Sequence, residues 1–241
     1  LHRTAAAGDI RAQLLVRDDD QLVGECADVL YHRYDGGGVV VDGPSVLVRK
    51  KVGDKVSVVA NYFLDMVSSA SIDVLSTASP FKDERKQMSL GVDYLRGKTT
   101  YSAGYIDGDE SDYLAKTAYF SISQDMFGDL TTVSIGFRRG MNDVYRNVKD
   151  PVSGAKSRDP SFHQDMDSRA WSASLTQVLT RDLLGVLSYE LVTDEGYLNN
   201  PYRQIRYADA TNPRGYSYAP EVYPRTKTSN SASGRLKYSL P

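Results

Sequence analysis

Residues able to do chemistry are few in this chain. It has only three histidines, His2, His32 and His163, which limits acid–base catalysis. His163 lies near Asp159, Asp165 and Asp167, the residue types of an Asp–His hydrolase. No serine beside a recognisable base accompanies it, so a solvated loop histidine is the better-supported reading. Asp107-Gly108-Asp109-Glu110-Ser111-Asp112 sets oxygen ligands at alternate positions, as a calcium loop begins. Asp112 then stands where such a loop requires glycine and Ala118 where it requires glutamate, so the stretch reads as an acidic, solvated loop. No catalytic residue, metal-ligand set or cofactor motif is identified.

Aromatic and basic residues gather between Glu195 and Arg225. Tyr202, Arg203, Arg206, Tyr207, Tyr216 and Tyr218 form the candidate binding set there. Aromatic faces beside guanidinium groups suit sugars, flavins or a protein partner. The competing reading is a folded lid whose tyrosines pack on one another, and it is favoured. A further set of charges, Asp93, Arg138, Glu190, Arg235 and Lys237, with Asn61 and Asp65 nearby, has meaning only through the elements that carry them.

Those elements are strands. From Lys86 to Gly140 the chain runs through successive period-two alternations. Met88, Leu90, Val92 and Tyr94 point opposite to Gln87, Ser89, Gly91 and Asp93; Tyr101, Ala103 and Tyr105 opposite to Thr100, Ser102 and Gly104. Phe120 and Ile122 oppose Tyr119, Ser121 and Ser123, and Val133, Ile135 and Phe137 oppose Ser134, Gly136 and Arg138. A soluble sandwich would carry long charged side chains on its polar face. Here that face is Ser, Thr and Gly, which suits a crowded polar interior, while the aromatic-rich face suits lipid. The charges named above then line the lumen of an all-β, antiparallel up-and-down transmembrane barrel of the outer-membrane type. They either set up a transverse field that selects solutes or pair with one another to hold the wall, the second being favoured.

The connections support this. Tight turns fall at Lys51–Asp54, Arg96–Lys98, Asp125–Asp129 and Thr180–Asp182. Between them lie connections read as long or polar, at Met66–Glu84, Asp107–Asp112, Met141–Asp167 and Thr193–Ser229, the first with a short strand at Ile72–Leu75. Outer-membrane barrels sort their loops this way, short inside and long outside. Residues 1–25 read as an irregular lead-in with at most a short helix near Asp9–Val16, and 26–241 as the barrel domain. Val39–Lys50 reads as a strand broken at Asp42-Gly43-Pro44.

Composition excludes other classes. A net charge of −2 with scattered Lys and Arg gives no nucleic-acid footprint. No apolar run reaches the roughly 18 residues of a membrane helix. Cys26 is the single cysteine, so no intrachain disulfide can form, and Glu25 before it argues against lipidation. Expected partners are outer-membrane lipid and lipopolysaccharide, with divalent ions able to bridge the acidic loop to the latter.

Longer strings carry a family resemblance: Tyr62-Phe63-Leu64-Asp65-Met66-Val67-Ser68-Ser69, Ser123-Gln124-Asp125-Met126-Phe127-Gly128-Asp129-Leu130, Leu175-Thr176-Gln177-Val178-Leu179-Thr180-Arg181, Thr193-Asp194-Glu195-Gly196-Tyr197-Leu198-Asn199-Asn200-Pro201-Tyr202-Arg203 and Pro220-Glu221-Val222-Tyr223-Pro224. From Cys26 to Pro241 the chain resembles the uncharacterised bacterial family catalogued as domain of unknown function 3570. The resemblance implies an outer-membrane barrel in Gram-negative bacteria and no particular activity. It also implies proximity to thioredoxin-like and flavin-transferring proteins, hence an envelope protein partner in a redox assembly. Members run longer, and Tyr238-Ser239-Leu240-Pro241 lacks a terminal aromatic. The expectation is therefore a partial barrel of about ten strands, acting as a pore or envelope scaffold, with a non-conducting partner-binding protein as the alternative and a rim hydrolase third.

Overall fold

The computed structural model describes residues 25–36, 39–69, 81–150 and 154–239. The expected lead-in, apart from Glu25, and the expected short strand at Ile72–Leu75 lie outside the described residues. Among the described residues twelve strands follow in order: β1 (Cys26–Gly36), β2 (Val39–Val52), β3 (Val56–Ser69), β4 (Phe81–Arg96), β5 (Thr99–Asp109), β6 (Tyr113–Met126), β7 (Thr131–Lys149), β8 (Lys156–Thr180), β9 (Leu183–Gly196), β10 (Gln204–Ala208), β11 (Tyr216–Pro220) and β12 (Thr226–Tyr238). Ten form one antiparallel meander in the order β1 to β9 and then β12; β10 and β11 pair separately as a hairpin. Among the described residues β1 and β12 are the two edges, so the wall is an open arc.

The ladder assigns each residue a face. Gly91, Gly104, Tyr119, Arg138, Ala170, Val192 and Ser229 share one row, and the residues two away on each strand share its face. That face carries the small polar residues and is the more enclosed. Ser57 is fully buried, and Thr100 and Asn142 nearly so. The opposite face exposes Met88, Ile135, Trp171 and Leu187, each more than half accessible (62%, 59%, 54% and 62%). Among the described residues only Ile106, Val144 and Ala170 are buried apolar side chains. A chain this size without an apolar core cannot offset its conformational entropy in water, so lipid must cover the apolar face.

The apolar band crosses the ladder on a diagonal. On β1, β2 and β3 it centres on Val29, Val46 and Tyr62, in the row of Met88. On β8 and β9 it centres on Leu175 and Leu187, in the row of Arg96. The band therefore slips by roughly one residue per strand, the stagger of strands tilted in a barrel wall. A level membrane slab meets tilted strands in this way.

Small residues on the enclosed face permit its packing. A Cβ at Gly104 would fall 2.4 Å from the Tyr119 hydroxyl, and one at Gly91 would fall 2.6 Å from it. The Tyr119 side chain thus reaches from β6 across both glycines. At Gly43 a Cβ would lie 1.8 Å from the Leu64 carbonyl oxygen. This explains why β2 is continuous where a break was expected: Gly43 admits close approach of β3, and Pro44, without an N–H, keeps its place opposite Tyr31.

The connections also differ from expectation, and the ends of Met66–Glu84 belong to the β3–β4 ladder, which pairs out to Ser69 and Phe81. Met141–Asp167 is mostly ladder, because β7 and β8 continue pairing past the lipid band to Lys149 and Lys156, with one bulge at Tyr145/Asn147. The 25 residues of β8 would span about 80 Å, against the 9–11 residues that cross a bilayer. Polar composition there reflects water, with cross-strand ion pairs replacing lipid contact. Asp107–Asp112 is short, with only Glu110, Ser111 and Asp112 between β5 and β6. Thr193–Ser229 contains the β10–β11 hairpin and the start of β12. The tight turns at the other end stand as expected, β4 and β5 being joined by Gly97 at φ 61° and Lys98.

Substituting Gly104→Leu should force Tyr119 from its seat and cost roughly 1–3 kcal/mol of overpacking. Denaturant unfolding of the refolded protein in lipid would measure it, and combining Gly104→Leu with Tyr119→Ala should recover part of the loss.

Candidate functional site

Two places collect functional side chains. The first is the enclosed face. Arg49 on β2 donates to Asp93 on β4 at 2.7 Å and to Ser57 on β3 at 3.3 Å. Arg138 on β7 donates to Glu190 on β9 at 2.7 Å, reaching across β8. Both pairs skip a strand, which a concave wall allows because curvature brings alternate strands closer on its inner side. Asp65 meets His32 Nε2 at 2.7 Å, and the imidazole stacks on Phe63 with ring centres 4.8 Å apart. His32 Nδ1 and Asn61 Oδ1 are buried without hydrogen-bond partners. Arg235 and Lys237 lie on the same face of β12, opposite Val186 and Leu184, exposed and in no ion pair among the described residues.

All five expected lumen charges thus share the enclosed face, three of them in pairs. Arg49 and His32 were missed. His32 follows from the register of β1 on β2, and Arg49 from the registers of β2 on β3 and β3 on β4, which alternation along a single strand does not reveal.

The second place is the outer hairpin of β10 and β11. Arg206 stacks over Tyr216 at 5.0 Å, and Tyr216 meets Tyr218 edge-on at 5.7 Å. Tyr207 sits on the other face with Ile205, because alternation sends neighbouring residues apart. Tyr202 and Arg203 belong to the support. The Tyr202 hydroxyl accepts the Asn147 N–H at 2.8 Å, and Arg203 pairs with Glu221 at 3.6 Å. Tyr197 packs edge-on against Phe162 of β8, 5.5 Å away. The six residues expected as one set therefore divide into an exposed aromatic–basic face, a residue on the reverse side and two anchors. Tyr207 and Tyr218 remain exposed, so the tyrosines do not pack together as one lid.

The hairpin turn is held by Asp209. Its carboxylate accepts from Ser217 Oγ at 2.6 Å, Thr211 Oγ at 2.6 Å and the Thr211 N–H at 2.9 Å. These bonds, Ser217's the largest, lower its pKa to about 2. An isolated two-stranded hairpin is marginal in water, so such a turn matters.

The remaining acidic groups have specific partners. Arg158 pairs with Asp109 at 3.2 Å and donates to the Ser111 and Glu110 carbonyls, both at 3.0 Å, while Arg85 reaches Glu110 at 3.4 Å. The supposed calcium-like stretch is thus tied down by arginines. His163 meets Asp143, across the β7–β8 ladder, at 2.8 Å and Asp165 at 3.6 Å. Asp159 is held instead by Arg146 and Ser161, Ser161's bond being the main cause of its pKa falling to about 2. Asp167 lies 4.0 Å from Arg139.

An antiparallel meander with an enclosed polar face, an exposed apolar band and ladder-built extensions beyond it is the wall of an outer-membrane β-barrel. The profile of the family described as "Protein of unknown function (DUF3570)" matches residues 72–241, and the chain belongs to that family. Among solved structures, it is similar to in-vitro folded OmpT, an outer membrane protein of Vibrio cholerae in trimer form. The identity is 11% and the TM-score 0.51, covering 88% of this chain and 64% of that one. OmpT of the same organism expressed in the outer membrane aligns at 12% identity and a TM-score of 0.48, with the same coverage. The chain thus corresponds to less than two thirds of the OmpT length. No curated protein matches it. Fold and face polarity together assign the chain to the bacterial outer membrane.

Because Asp209 is lowered, the stability it gives the hairpin is full above its unfolded pKa near 4 and lost as pH falls through about 2. The protection of the amides of Thr211 to Ser217, taken relative to their intrinsic exchange rates at each pH, should fall between pH 4 and pH 2. Asp209→Asn should exchange faster at pH 7 and lose that pH dependence.

Proposed function

We propose that the chain builds the wall of a water-filled pore and has no catalytic role. The observation carrying this reading is the enclosed polar face of Ser, Thr and Gly, on which the Arg138–Glu190 and Arg49–Asp93 pairs run along the wall from strand to strand. The rim-hydrolase reading loses ground because Ser161, the serine nearest His163 in sequence, donates to Asp159. Lipopolysaccharide is the outer-leaflet partner in this reading.

A second reading, a non-conducting protein that docks an envelope partner, is favoured by the exposed Arg206–Tyr216–Tyr218 face. Deleting Pro213–Pro224 tests it: partner capture should vanish while the barrel still folds.

Reconstituted in planar bilayers, the full-length protein should give discrete ohmic steps. Arg138→Gln should shift selectivity toward cations and Glu190→Gln toward anions, since each leaves the other charge unbalanced in the lumen. Folded protein that shows no channel activity would overturn the pore.

A further inference from the structure

We propose that Asp143, His163 and Asp165 form a divalent-metal site, suited to zinc, on the β7–β8 hairpin beyond the lipid band. Asp143 and Asp165 are direct partners in the ladder, and His163 is partnered with Tyr145 two residues on, so alternation puts all four side chains on one face. One ligand atom from each of the three lies within 4.8 Å of the others. His163 Nε2 is 2.8 Å from one carboxylate and 3.6 Å from the other. Tetrahedral ligands about 2.0–2.2 Å from zinc stand roughly 3.3–3.6 Å apart, so side-chain adjustment alone closes the site.

Two further observations set this cluster apart. The imidazole is oriented by stacking on Tyr145, with centres 5.0 Å apart and planes at 11°, and Arg158 lies over the Tyr145 ring at 4.4 Å. The charge balance is also unusual for this hairpin. Asp159 has Arg146, Asp109 has Arg158 and Asp167 has Arg139. Among the described residues, Asp143 and Asp165 meet no lysine or arginine in an ion pair, only the His163 imidazole. Like charges directly opposite in a ladder destabilise it, and a divalent cation removes that repulsion. A nitrogen donor beside two carboxylates selects a borderline metal over calcium or magnesium, which take oxygen ligands. Three protein ligands leave a fourth position for water.

Titration of the full, detergent-folded chain with zinc by calorimetry, and with cobalt as a spectroscopic probe, tests this. One saturable equivalent is expected, with cobalt absorption of a four-coordinate site. Affinity should fall at least tenfold in His163→Ala and in Asp143→Asn and be unchanged in Asp159→Asn, which lies outside the triad. Heat-dependent gel migration confirms that each variant is folded. Absence of saturable binding by the parent chain, or His163→Ala binding zinc as tightly as the parent, would overturn the site.

Discussion

The structure depends on one constraint: hydrocarbon offers the backbone no hydrogen bonds. Each N–H or C=O left unpaired there costs several kcal/mol, so within the lipid every residue must belong to a helix or a ladder. This chain chooses the ladder. Two-fold alternation then leaves only the side-chain faces to vary, and their chemistry is the reverse of a soluble protein's. Ser57, Thr100 and Asn142 are enclosed while Leu187, Ile135 and Trp171 face outward. The same constraint explains the glycines: Tyr119 can cross β5 and β4 on the enclosed side only because Gly104 and Gly91 offer no Cβ.

Beyond the lipid the constraint relaxes and other forces hold the ladder. On β7 and β8, paired arginines and carboxylates succeed Phe137 and Trp171, whose rings lie 4.4 Å apart within the band. Arg146 bridges to Asp159 and stands over Phe162, and Arg158 clamps Asp109 while lying over Tyr145. Exposed ion pairs contribute little singly, but here guanidinium, ring and carboxylate form joined sets along one hairpin. Asp209 serves the smaller β10–β11 hairpin similarly. The lumen wall and the outer hairpins are therefore one continuous backbone pattern clothed for two solvents.

How much of this the sequence disclosed follows from the same physics. Strands from Met88 to Phe137 were legible because lipid and lumen demand opposite side chains at successive positions, and the family strings agreed from residue 72 onward. Past the membrane that demand ends, so Asp143, Tyr145 and His163 looked like loop although they continue the ladder. Gly43-Pro44 looked like a break because its signal is local, and β3 does leave both unpaired, whereas β1 pairs with both and carries β2 through. Parity in the sequence puts Asp93, Arg138 and Glu190 on the enclosed face, but it does not show their pairing: Arg138 and Glu190 are 52 residues apart and stand on strands separated by β8. The aromatic–basic set divided because the hairpin inside it has a two-residue period of its own.

The central claim is the inverted, two-faced wall, and neighbouring positions on one strand test it most directly. With Cys26→Ala as background, single variants Ser134→Cys, Ile135→Cys, Ser172→Cys and Ala173→Cys would carry an environment-sensitive fluorophore in lipid vesicles. The account predicts that brominated lipid quenches labels at 135 and 173 while a water-soluble quencher reaches those at 134 and 172. Equal aqueous quenching at all four positions, or no alternation between neighbours, would contradict it.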